Sequence, residues 1–333
     1  MNRRFARKSH AAPLLLSLAL LSAFAPAQTR SAAAKRAWIT ILSTTDLHGN
    51  ILPVDYYTNK PDARGLAKAA TIIRAARKEN PRGTLLVDSG DTIQGTPLEY
   101  VHNKMNNAPP DPMMLSMNAL QFDAMAVGNH EYNFGLDVLA KARREARFPW
   151  LSANTYRAGT NETQYQPYVV KELDGVRVGV LGLTTAGVPS WENKENYAGL
   201  EFRDPTEEAR KWVGVLRGKE GVDLVVVAMH MGLEEDARTG EATPGQAPHE
   251  NEAVRIAEQV KGIDLILMGH THREVPALTV GGALLTQANA WGRHVARADV
   301  YLERDEKGKW RVAAKQARTV AVTERTEVDA EIA

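Results

Sequence analysis

The chain has 333 residues, 44% hydrophobic and 24% charged, with 41 Lys and Arg against 40 Asp and Glu for a formal net charge of +1. That composition belongs to an ordinary globular protein, and without a basic stripe or interleaved aromatics it excludes a nucleic-acid polymer as partner. With 0 cysteines the chain has no disulfide, no thiolate metal ligand and no cysteine nucleophile.

Residues 1–27 read as a secretory signal. Arg3, Arg4, Arg7 and Lys8 precede the apolar stretch Ala12 to Ala25, and Ala25-Pro26-Ala27 offers a small-x-small cleavage site. Removing them leaves 37 basic against 40 acidic residues, a charge of −3. The reading predicts export, to the periplasm or the medium. Arg3-Arg4 resembles a twin-arginine signal, though the following residues fit that route poorly. Residues 28–36 read as a flexible leader, 37–325 as one domain and 326–333 as a tail. No second apolar stretch is long enough to be a transmembrane segment.

Within the domain, strands alternate with helices. Residues 38–44 read as a strand leading to Asp46. Residues 65–78 read as a helix, with Leu66, Ala69, Ala70, Ile73 and Ala76 on one face. Residues 84–87 form a strand leading to Asp91, 112–120 a helix, and 124–127 a short strand leading to Asn129 and His130. A helix at 136–147 and a strand at 150–153 follow, then a strand at 176–184. Asp204-Pro205 opens a helix to about 217, with aspartate as the cap and proline in the first turn. Residues 222–228 lead to His230, 250–260 read as a helix, and 263–268 lead to His270. Residues 283–286, 296–302 and 310–314 read as antiparallel strands around glycine turns. The Gly- and Pro-rich loop 239–249 has no periodicity and reads as a mobile flap. The alternation predicts mainly parallel sheets with covered faces, whose ligands collect beyond the strand carboxyl ends.

Five polar clusters occupy those ends: Asp46-Leu47-His48, Gly90-Asp91, Gly128-Asn129-His130-Glu131, His230 and Gly269-His270-Thr271-His272. They hold five of the 9 histidines and offer only carboxylate, amide and imidazole, a donor set suited to two divalent metals. On an extended segment residues i and i+2 point the same way, so Asp46 and His48 reach one ion while Leu47 turns to the core. Asp91 has two oxygens and can bridge two cations. Asn129 offers a neutral oxygen, and His130 can donate a proton or stabilise charge on a phosphoryl oxygen. Singly, each cluster also fits a capping aspartate, a polar loop or a satisfied core histidine. His102, His249 and His294 receive no role, with surface positions expected.

In order and strand-end context, D-x-H, G-D, G-N-H-E, H and G-H-x-H resemble the calcineurin-like metallophosphoesterase superfamily over roughly Trp38 to Arg304. The resemblance implies a four-layer α/β/β/α sandwich with two mixed sheets and a metal site at the strand C-terminal edge. It implies one metal on Asp46, His48, Asp91 and His272 and a second on Asp91, Asn129, His230 and His270. The ions would be Mn, Zn, Fe or Co, roughly 3.5–4 Å apart, holding a hydroxide that attacks phosphorus in line. His130 and Asn129 would serve catalysis, and Asn129, His130 and Asn133 would contact substrate.

Within that superfamily, Thr44-Thr45-Asp46-Leu47-His48-Gly49-Asn50, residues 90–97 and residues 287–292 resemble the exported 5'-nucleotidase and 2',3'-cyclic-nucleotide phosphodiesterase/3'-nucleotidase branch. Asp55-Tyr56-Tyr57 and Asn133, where many 5'-nucleotidases carry aspartate, are similar to the cyclic-phosphodiesterase side. The implied function is hydrolysis of a small-molecule nucleotide or related phosphoester. The base-binding C-terminal domain of that branch has no counterpart before Ala333, so base selectivity does not carry over. The alternatives are a thiosulfate-ester or nucleotide-sugar hydrolase of the same fold and a non-catalytic nucleotide-binding module. Oligomeric state is not legible.

Overall fold

The computed structural model describes residues 36–235, 241 and 245–333. The expected signal and all but the last residue of the leader lie outside the described residues, as do positions 239, 240 and 242–244 of the expected flap. In chain order the main elements are β1 (Arg36–Thr44), α1 (Leu66–Glu79), β2 (Thr84–Asp88), α2 (Pro112–Ala119), β3 (Ala124–Ala126), α3 (Leu136–Glu145) and β4 (Trp150–Leu151). Next come β5 (Tyr168–Leu173), β6 (Val176–Thr184), α4 (Pro205–Gly218), β7 (Leu224–His230), α5 (Ala253–Gln259) and β8 (Leu265–Met268). The chain closes with β9 (Glu274–Val280), β10 (Ala283–Ala288), β11 (His294–Arg304) and β12 (Trp310–Ala321).

Two six-stranded sheets run in the orders β12-β11-β1-β2-β3-β4 and β9-β10-β8-β7-β6-β5. The site-bearing strands are parallel within each sheet: β1 to β2, β2 to β3, and β7 to β8. Side chains alternate in direction along these strands. Ile39 and Ile41 of β1 meet Leu224, Val226 and Ala228 of β7 between the sheets. Val225, Val227 and Met229 face the other way, onto α4 and α5. Leu42 and Leu86 pack outward against α1 and α2. Burial on both faces explains the unbroken apolar runs, and the three apolar layers make the four-layer sandwich. Caps fix two helix starts. Asp111 accepts from Met114 N at 2.9 Å and Asp204 from Glu207 N at 3.0 Å, each followed by proline.

The differences from the sequence reading lie at edges. Residues 283–286 run parallel to β8 and are antiparallel only to β9, an edge strand that the sequence reading lacks. Pro276 and an exposed face hide β9 in the sequence; both are tolerated because it has one neighbour. β5 is the other unread edge. β12 continues to Ala321 on β11, beyond the expected end at 314. Helix α5 begins at Ala253, later than expected: the backbone of Glu252 is not helical, at φ −139° and ψ 25°. Residues 326–333 pack on α1: Asp329 N donates to Ala67 O at 2.9 Å, and Ile332 is buried. Among the described residues no helix is long and apolar enough to cross a membrane.

The sheets touch closely at Gly182 of β6, where a Cβ would lie 2.3 Å from Leu151 Cβ and 2.6 Å from its backbone. Gly182→Val should therefore destabilise the protein by about 1–3 kcal/mol. Thermal unfolding by circular dichroism reads this as a lower Tm, and an unchanged Tm would remove the close contact from the packing account.

Candidate metal centre

The loops that follow β1 and β2 are joined backbone to backbone. Asp46 N donates to Gly90 O at 2.8 Å and His48 N to Asp91 O at 2.9 Å. The backbone here departs from the extended form expected of D-x-H and H-x-H. Asp46, His48, Asp91, His270 and His272 all have positive φ, between 47° and 72°. That corrects the i, i+2 argument: each pair converges through left-handed turns, although Leu47 between the first pair is buried as expected. Non-glycine residues held this way cost about 1–3 kcal/mol each and collect at functional sites.

The turns assemble two groups. The donor atoms of Asp46, His48 and His272 lie within 4.8 Å of one another, as do those of Asp91, His230 and His270. His48 Nδ1 donates to Gln94 O at 2.8 Å, which turns Nε2 inward to 3.0 Å from His272 Nε2. His272 Nε2 lies 3.3 Å from Asp46 Oδ1. His230 Nδ1 donates to Ser89 O at 2.8 Å, leaving Nε2 at 3.0 Å from Asp91 Oδ2. His270 Nε2 meets Glu250 Oε1 at 3.1 Å, so Nδ1 is its free donor. Asp91 lies between the groups, its Oδ2 also 3.8 Å from His48 Nε2.

Charge and burial set the protonation of this cluster. Burial pushes the His48 imidazole below its usual value. Burial presses on His230 in the same direction, but Asp91 outweighs it and pushes the imidazole up to about 10. Burial would raise Asp91, yet the facing His230 holds its carboxyl well below the usual range. Hydrogen bonding to Asp46 raises His272. One buried atom here, Asn129 Oδ1, makes no hydrogen bond, while Asp46 Oδ1 and His230 Nε2 meet only their ion-pair partners within the cluster, His272 at 3.3 Å and Asp91 at 3.0 Å. Buried polar atoms are normally paired. An unpaired buried amide oxygen among converged oxygen and nitrogen donors fits the missing partner of a cation, and the set suits a borderline divalent metal.

Asn129 and His130 follow β3. A Cβ at Gly128 would sit 2.2 Å from Asp91 Oδ1, so only glycine lets this loop approach. His130 N donates to Asp91 Oδ1 at 2.8 Å. The buried Glu131 carboxylate accepts from Asp91 N at 2.9 Å and Gly128 N at 2.7 Å, clamping the two loops. His130 Nδ1 donates to Asn133 Oδ1 at 2.6 Å, and its Nε2 lies 3.9 Å from Asp91 Oδ2. Asn133 therefore touches a site histidine. Its Nδ2 donates to Glu192 Oε2.

Sequence reasoning missed Glu192 and Glu250. Both sit in irregular segments where no spacing links them to the clusters, and only the fold delivers them. His102 is buried, against the expected surface position, while His249 and His294 are exposed and half-buried. A third acid–histidine group, Asp204, His249 and Glu252, already holds a cation, the Arg255 guanidinium bonded to Glu252 and 3.5 Å from Asp204.

Residues 39–274 match the calcineurin-like phosphoesterase family. A 2',3'-cyclic-nucleotide 2'-phosphodiesterase/3'-nucleotidase of Yersinia enterocolitica is 35% identical over 327 residues, covering 91% of this chain and 48% of the relative. A 5'-nucleotidase of Vibrio vulnificus is 32% identical over 336 residues, covering 94% and 57%. The chain thus spans about half the length of these relatives. The crystal structure of calcineurin-like phosphoesterase YfkN from Bacillus subtilis superposes with a TM-score of 0.80 at 31% identity, covering 89% of this chain and 95% of that one. Sequence match, strand-end geometry and fold agree: the chain belongs to the calcineurin-like phosphoesterase family.

Proposed function

We propose that the chain is a dinuclear-metal hydrolase of nucleotide phosphoesters, of the 5'-/3'-nucleotidase or 2',3'-cyclic-nucleotide phosphodiesterase type, exported through its N-terminal segment. The single observation that carries this is the pair of facing donor groups, with the buried Asn129 Oδ1 left unpaired. Asp46, His48 and His272 would hold one cation and Asn129, His230 and His270 the other, with Asp91 shared. The ions, manganese, zinc, iron or cobalt, polarise phosphoryl oxygens and lower the pKa of water when bound. His130 presents Nε2 to the same space, positioned to stabilise charge on the phosphoryl group or to give a proton to the leaving oxygen. Asn133 holds that ring by its Nδ1. The names of the matched relatives favour nucleotides over thiosulfate esters and nucleotide sugars. Metal analysis with phosphate release from nucleoside mono-, di- and cyclic phosphates tests the proposal. A metal-loaded protein that turns over none of them refutes it.

Metal uptake should depend on pH with a definite sign. In the metal-free protein His230, at about 10, holds a proton at neutral pH that an entering cation must displace, and Asp46 holds the His272 proton more tightly than an ordinary histidine would. Uptake should release protons, and occupancy should fall in acid. Without metal the sign reverses. The charged His230–Asp91 pair stabilises the fold fully below the ordinary histidine value and loses that contribution as pH rises through about 10. Metal content after dialysis, with proton release on titration, checks both halves. Occupancy that stays flat from neutral pH to pH 4 would argue against histidine ligation.

A further inference from the structure

A cavity of about 490 Å³ adjoins the metal centre, lined by Tyr57, Gln94, Tyr100, Asn133 and Phe134 among others. That is the size of a small-molecule site. Two of its lining residues also hold site histidines. The Gln94 carbonyl fixes the His48 ring at 2.8 Å, and the Asn133 side chain fixes His130 at 2.6 Å. One imidazole's width therefore separates the cavity wall from the nitrogens that face Asp91. Its aromatic rings are set out in solvent: Tyr57 is 78% exposed and Tyr100 57%. Tyr57 is nonetheless tethered, its hydroxyl donating to Gly95 O at 3.0 Å. Grouped exposed aromatics at a concave site mark a binding surface and are not explained by packing. Among the described residues the Gln94 carboxamide makes no hydrogen bond, so it is free to read donors and acceptors on a flat ring.

We infer that this cavity is a nucleobase subsite within the metal-bearing domain, in which Tyr57, Tyr100 and Phe134 present ring faces and edges to the base and Gln94 addresses its polar edge. The inference rests on the nucleotide reading above and deepens it. A flat, aromatic group attached through ribose to the reacting phosphate meets the geometry: phosphate over the donor groups, base beyond the two histidine rings. An aliphatic phosphoester would leave the rings in water.

The probe is adenosine, with ribose as the control that lacks a base. Both are titrated into the full chain, metal-free and metal-loaded, by calorimetry. Adenosine should bind at least about tenfold more tightly than ribose, and Tyr57→Ala and Tyr100→Ala should each weaken it by about tenfold, the scale of a lost base–aromatic stack. Both side chains are exposed, so folding is not at stake. Adenosine binding no tighter than ribose, or binding that survives both substitutions, overturns the subsite and leaves the cavity as a contact for another part of the protein. Phosphoester turnover is followed in the same samples. Loss of turnover with adenosine binding intact counts against the hydrolase and spares the subsite; the converse does the reverse.

Discussion

Asp91→Ala should empty both metal positions at once and lower phosphoester turnover by about 10³-fold or more, beyond the loss of a single electrostatic partner. The argument is positional. Asp91 is almost fully buried, and Oδ2 lies 3.0 Å from His230 Nε2 and 3.8 Å from His48 Nε2, one nitrogen from each donor group. Asp46 is the other acid of the cluster, and its Oδ1 serves the His48 and His272 side. Removing Asp91 therefore weakens each cation, whereas Asp46→Ala should weaken one more than the other. The alanine variant also strips His230 of its counter-charge and frees His130 N from its acceptor. Asp91→Asn keeps the shape and removes the charge, so it separates metal loss from collapse of the loop. Elemental analysis of both variants, beside a thermal melt, reads the outcome. A folded Asp91→Ala protein that retains two ions and full turnover would remove Asp91 from the shared position.

The strands that carry the site are legible because both their faces are buried. Runs such as residues 224–229 are apolar throughout, and the polar residue that ends each run, here His230, has no packing reason to be there. Edge strands lack that contrast. Glu274–Val280 mixes exposed and half-buried positions around Pro276, and period alone cannot separate it from a loop. At the site, residue type and order pointed to the clusters, but conformation did not follow. The extended D-x-H expected from strand geometry gives way to left-handed Asp46 and His48, because their amides are held by Gly90 and Asp91 carbonyls across the sheet. Glu192 was invisible for a further reason. It is 59 residues from Asn133 in sequence, and its relevance exists only through the hydrogen bond that the fold creates.

His130→Ala should keep both ions and lower turnover by roughly 10²–10⁴-fold. The two donor groups do not include His130, and its side chain is 38% exposed, so neither metal content nor folding depends on it. What the ring supplies is Nε2, and a chain of hydrogen bonds decides that. A carboxylate accepts only, so the Glu192 oxygen faces Asn133 Nδ2 and fixes the amide with Oδ1 toward His130. Oδ1 accepts from Nδ1–H whether the imidazole is neutral or charged, and Nε2 is the nitrogen left to exchange a proton. Asn133 conveys orientation without charge; the nearest charge on that side is Glu192, one residue further out. Glu192→Gln can donate as well as accept, which lets the amide turn over and present Nδ2 to the ring. Turnover should then fall by roughly tenfold, the scale of lost orienting partners. The double variant decides whether the chain acts through the ring. In the His130→Ala background Glu192→Gln should change nothing further, since the group it orients is gone. Independent, additive losses would make Glu192 a structural residue of its loop and detach it from His130.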